Sequence, residues 1–118
     1  MPVRSLNSPV LKWPQRAAVE AAVRELAERL ARTHAELVRL GIFGSYATGA
    51  WGVGSDVDLI AIVRRATRPF AERPLDFDLS GLPVPADLVV YTEDEWGAMQ
   101  AAANPFARRL AKTALWVL

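Results

Sequence analysis

Asp56 and Asp58 flank a single valine, and a Gly44-Ser45 turn stands ten residues upstream of them in the stretch Gly44 to Leu59, GSYATGAWGVGSDVDL. Side chains alternate along a strand, so the two carboxylates point the same way, about 6.5–7 Å apart along the backbone. Two acids so placed repel each other unless cations lie between them, and their oxygens suit a hard ion such as Mg²⁺, or a pair of ions about 3.5–4 Å apart. A Gly-Ser turn opening a short helix, Ser45 to Gly49, exposes backbone N–H groups that phosphate oxygens accept from, and glycine lets the backbone approach a ligand. Each half alone has a plain reading: a bare Gly-Ser ends a strand, and an isolated Asp-x-Asp is a solvated strand end. Together, at this spacing, they point to phosphate chemistry assisted by metal ions.

Two apolar segments must hold these groups. Leu37 to Phe43 (LVRLGIF) and Val57 to Val63 (VDLIAIV) read as buried strands. From Gln15 to Thr33, Val19, Val23, Leu26 and Leu30 recur at helical spacing, and Pro14 suits the first helical turn. Three acid-to-base pairs, Glu20–Arg24, Glu25–Arg29 and Glu28–Arg32, are expected on the opposite face. Ala86 to Tyr91 reads as a third strand. Thr92 and Glu95 form a capping box for a helix from Asp94 to Ala103, in which Trp96 and Met99 belong to the core. A break at Asn104-Pro105 precedes a helix at Phe106 to Lys112 and a short strand at Ala114 to Val117. The fold class is therefore α/β (α+β): one small mixed sheet with helices packed on it, in a single domain at 14–118 after a lead-in at 1–13.

Other residues compete for a chemical role. His34, the one histidine, falls at a helix end and reads as a dipole-favoured or solvated group. Asp76 and Asp78 make a second Asp-x-Asp, but no phosphate-type turn lies at the matching distance upstream. Arg64, Arg65, Arg68 and Arg73 form either a basic patch or a solvated loop. Asp87 opens the third strand, where it either caps the strand or supplies a third carboxylate. GAWGVG lacks dinucleotide-fingerprint spacing, and no Gly-Lys-Ser/Thr follows for a P-loop.

The 118 residues, about half of them apolar, suffice for one core but leave no room for a second substrate-binding domain. With no cysteine there is no thiol nucleophile and no disulfide framework. A net charge of +1 argues against direct nucleic-acid binding through bulk electrostatics. No apolar run reaches the roughly 20 residues of a membrane span, and MPVRSLNSPV lacks a signal peptide's apolar centre. A cytoplasmic protein without a membrane partner is expected. Trp13 and Trp51, with Trp116 either packing inward or joining them, leave interfaces open, including one between copies of the chain.

Gly44-Ser45, ten residues, then Asp56-Val57-Asp58-Leu59 resembles the signature of the polymerase-beta-type nucleotidyltransferase superfamily. More narrowly, the chain resembles the minimal nucleotidyltransferases (MNT) that act as antitoxins in HEPN/MNT toxin–antitoxin modules. The resemblance implies that Gly44 and Ser45, with Ser55 beside the acids, hold the substrate's phosphates. It implies further that Asp56, Asp58 and Asp87 bind two Mg²⁺ ions and that the substrate is ATP or another nucleoside triphosphate. The expected activity is AMP transfer to a hydroxyl of a HEPN-type toxin. Two alternatives are an antitoxin that neutralises its partner by covering it and nucleotidyl transfer to a small molecule such as an aminoglycoside.

Overall fold

The computed structural model describes residues 15–49 and 55–118. The lead-in at 1–13, Pro14, Trp13, and the loop residues Trp51, Gly52 and Gly54 lie outside them. The described elements run α1 (Arg16–Thr33), β1 (Leu37–Phe43), α2 (Ser45–Thr48), β2 (Val57–Val63), a 3₁₀ segment (Phe70–Asp76), β3 (Ala86–Thr92), α3 (Glu93–Ala101), α4 (Pro105–Thr113) and β4 (Leu115–Trp116). They form a small α+β domain around one four-stranded mixed sheet ordered β3-β2-β1-β4. β1 runs antiparallel to both β2 and β4, whereas β2 and β3 are parallel.

The period-2 alternation of β2 divides the core between the two faces of the sheet. Val57, Leu59, Ala61 and Val63 join Val19, Val23, Leu26 and Leu30 of α1 in the main cluster. Ile60 and Ile62 face the other way and pack with Trp96 of α3 and Leu110 of α4. The α1 stripe predicted from the sequence is the buried one, and each of its four residues is almost fully covered. A side chain of this size contributes about 1.5–3 kcal/mol on burial, so the stripe fixes how α1 lies on the sheet.

Helix ends follow the local chemistry. Thr92 Oγ1 accepts from the Glu95 N–H at 3.1 Å while the Glu95 carboxylate accepts from the Thr92 N–H at 2.9 Å, completing the expected capping box. Asn104 caps α4 by accepting from the Phe106 and Ala107 N–H groups, with Pro105 at the first helical position. Trp116 lies across Gly41 of β1 so closely that a Cβ there would stand 2.8 Å from the indole, and Arg39 stacks on the same ring at 3.7 Å. No helix among the described residues is long and apolar enough to cross a membrane.

Several local expectations are revised. Of the three ion pairs on α1 only Glu20–Arg24 forms, at 3.0 Å. Arg29 instead donates to the carbonyls of Asp78 and Ser80, because the connection at 64–85 folds back over the end of α1. That connection contains the 3₁₀ segment, and Arg73 within it is buried rather than part of a basic patch. Arg73 donates to both Glu95 oxygens and to the carbonyls of Val90 and Arg68.

Candidate active site at the carboxylate end of the sheet

The C-terminal end of β1 and the N-terminal ends of β2 and β3 meet at one end of the sheet. In the parallel register Asp58 stands beside Asp87, and in the antiparallel register its other neighbour is Phe43. Adjacent strands lie about 4.8 Å apart, so the two carboxylates are side by side on one face. That face is the α3–α4 side, since Ile60 and Ile62, in phase with Asp58, pack on Trp96 and Leu110. Asp56 lies just before β2 rather than within it. It nonetheless remains close enough to act on Asp58 electrostatically.

Burial, with the charges of Asp87 and then Asp56, raises the Asp58 carboxyl above its ordinary range. Asp58 is half-buried, while Asp56 and Asp87 are exposed. Among the described residues none of the three forms an ion pair. Three carboxylates lie toward one end of the sheet, the charges of Asp87 and Asp56 both acting on Asp58, and hard oxygen donors of this kind suit a divalent cation. The fit lies in donor chemistry rather than in a closed cage: among the described residues no three His, Cys, Asp or Glu side chains gather into a ready metal-holding group.

Gly44 is tied to this acid pair by sterics. Its backbone, at φ 72° and ψ −147°, is one that residues with a Cβ rarely adopt, and a Cβ built there would run into the Asp58 carboxylate. Ser45 then opens α2, a single four-residue turn. Ser55 precedes Asp56, and its carbonyl accepts from the Tyr46 hydroxyl at 3.4 Å, a long bond that links α2 to the start of β2.

The structure thus brings Gly44, Ser45, Asp56, Asp58 and Asp87 to one sheet end, with Ser55 adjoining. It places Asp76 and Asp78 elsewhere, in local roles: Asp76 pairs with Arg68 at 2.7 Å and Asp78 accepts from the Ser80 N–H at 3.0 Å. His34 stacks on Phe77 and its Nε2 bonds the Asp76 carbonyl at 2.8 Å. Sequence reading missed Arg16, whose guanidinium donates to the Ala47 carbonyl at 2.8 Å and so holds α2. It missed as well the edge-to-face pair of Phe43 and Phe106, which joins the residue beside Asp58 to the first turn of α4. Neither contact has a signal in local sequence, because each joins segments far apart in the chain.

Comparison with known proteins bears on the family and the fold. The family model for the nucleotidyltransferase domain matches residues 23–112. No curated protein sequence matches the chain. Among solved structures, a crystal structure of a protein from Sulfolobus solfataricus assigned provisionally as a nucleotidyltransferase superposes with a TM-score of 0.55 at 21% identity. The match covers 70% of this chain and 75% of that one, and the likeness is one of fold. With most of its length matched by the family model, the chain belongs to the nucleotidyltransferase domain family.

Proposed function

We propose that the protein transfers a nucleoside monophosphate, AMP from ATP, to a hydroxyl of a partner protein, and that it acts as the antitoxin of a HEPN-type toxin. The observation that carries the transfer chemistry is the parallel register of Asp58 with Asp87, with Asp56 two residues before Asp58 and Gly44 against its carboxylate. In this reading Asp56, Asp58 and Asp87 hold two Mg²⁺ ions, which when bound offset the negative charge that develops on the attacking oxygen and the departing pyrophosphate.

The chain's own groups do the rest. Gly44 and Ser45 present backbone to the phosphates next to the acids, with Ser55 immediately before Asp56. Asp58 lies on β2 with β1 on one side and β3 on the other, so the strand register sets where its carboxylate starts from. Asp87 is exposed, and in this reading it accepts the acceptor hydroxyl's proton as the oxygen attacks the α-phosphorus and the bond to pyrophosphate breaks. The described residues form one layer of helices on each sheet face and place no second lobe over the acids, which favours an acceptor brought by another molecule.

The test is to incubate the protein with Mg²⁺-ATP and a HEPN-type partner. An added AMP mass on the partner, lost with the combined Asp56→Asn and Asp58→Asn variant, supports the reading. Absence of any adduct with a folded partner would sink it. The second reading, neutralisation by covering, is favoured instead if the double variant still protects against the toxin.

A further inference from the structure

The parallel strands β2 and β3 are joined by a connection at 64–85 whose only helical piece is the seven-residue 3₁₀ segment. A parallel crossover usually carries a full helix that covers the sheet between its strands. Here the shorter piece leaves a cavity of about 530 Å³ between the connection, the end of α1 and the start of β1. Leu37, Val63 and Val90, all buried, supply its apolar interior, and the stacked rings of Phe77 and His34, 4.5 Å apart and 15° from parallel, form a flat wall. The cavity is open to solvent on one side, and its volume lies within the range of small-molecule pockets.

The cavity is separate from the carboxylates. Its lining reaches from Val63, five residues or roughly 17 Å along β2 from Asp58, to Val90, three residues or roughly 10 Å along β3 from Asp87, and it lies on the α1 side of the sheet rather than on the face of the acids. Its charged lining groups are all matched. Arg65 pairs with Glu36 at 3.0 Å, Asp76 with Arg68 at 2.7 Å, and Arg73 with Glu95 at 2.6 Å. A charged ligand would find no unmatched counter-charge in this lining, whereas an uncharged ring would meet apolar walls and a flat aromatic face.

We propose that this cavity is a second ligand site, one that takes an uncharged, planar, largely apolar small molecule. The probe is indole, titrated into the isotope-labelled full chain and followed by amide chemical shifts. Saturable shifts at Ala35, Val63, Ala66 and Phe77 are expected, half-maximal on the order of 10 mM or below, which corresponds to about 0.3 kcal/mol or more for each of indole's roughly nine heavy atoms. Magnetisation transfer from indole protons to the Val63 and Val90 methyl groups is expected in the unmodified protein. Indole-3-acetate and tryptamine should bind at least fivefold more weakly. Ala66→Trp, which fills the cavity, should weaken indole binding at least tenfold and leave nucleotidyl transfer unchanged. Unsaturable shifts, methyl contacts elsewhere such as at Phe43 and Phe106, or tighter binding of either charged analogue would overturn the proposal, and the methyl contacts decide it even if Ala66→Trp does not fold.

Discussion

A Cβ on Gly44 would occupy the space taken by the Asp58 carboxylate, so the glycine of the turn and the middle acid of the site are fitted to one another. The positive φ of Gly44 adds a second, independent reason for glycine there. Gly44→Ala should cost about 1–3 kcal/mol of stability and reduce transfer at least tenfold. Part of that cost is the clash alone. In an Asp58→Ala background the same substitution should cost less, a non-additivity that a double-mutant cycle by denaturant unfolding will measure.

Asp58→Asn removes a like charge from beside Asp87 and Asp56 while keeping the side chain's shape. Transfer should be abolished. In the presence of a chelator, however, the variant's melting temperature should equal or exceed that of the parent. Added Mg²⁺ should raise the parent's melting temperature and leave the variant's nearly unmoved, as thermal scans with and without the ion will show.

The second Asp-x-Asp provides a control. Asp76→Asn removes an exposed ion pair to Arg68, and Asp78→Asn keeps a side-chain oxygen that can accept from the Ser80 N–H, so the fold should tolerate both. Transfer rates should stay within twofold of the parent. A loss comparable to that of Asp58→Asn would mean that the site has been placed at the wrong acids.

Arg73 fastens the connection to α3 through Glu95, whose carboxyl the guanidinium holds down at about 2. A carboxylate with a depressed folded-state pKa adds stability above its ordinary value near 4.5, and that stability is lost as pH falls from there towards 2. Since the Glu95 side chain is 43% exposed, solvent screening reduces the contribution to about 1 kcal/mol. Unfolding measured between pH 5 and pH 2 should show this loss, and Glu95→Gln should flatten it. Arg73→Ala, which strips donors from two carbonyls as well, should cost about 2–3 kcal/mol at neutral pH.

Arg16 meets α2 at the Ala47 carbonyl rather than at Gly44 or Ser45, so its effect on transfer is one of positioning. Arg16→Ala should raise the KM for the nucleotide several-fold with a smaller change in kcat and a stability loss of about 1 kcal/mol. Steady-state kinetics will separate the two. Equal loss in kcat would assign Arg16 a direct part in the reaction.

What the sequence determined by itself is the inventory and the local periods. The α1 stripe, the three longer strands, the Thr92–Glu95 capping box and the Asn104-Pro105 break all rest on interactions within a few residues, and each appears where local chemistry puts it. The spacing of Gly44-Ser45 to Asp56 and Asp58 was likewise legible, because a strand, a turn and a strand have fixed rises. Tertiary structure decided the rest. Spacing left Asp87 equally open as a strand cap or a third carboxylate, and the parallel register of β2 with β3 set it beside Asp58. Packing against Trp96 and Leu110 decided that the acids face α3 and α4 rather than α1. Arg73 read as a surface cation until the fold supplied Glu95, 22 residues away, as a partner that makes its burial tolerable. Pairings across such distances depend on how strands register and layers pack, and those are properties of the whole chain.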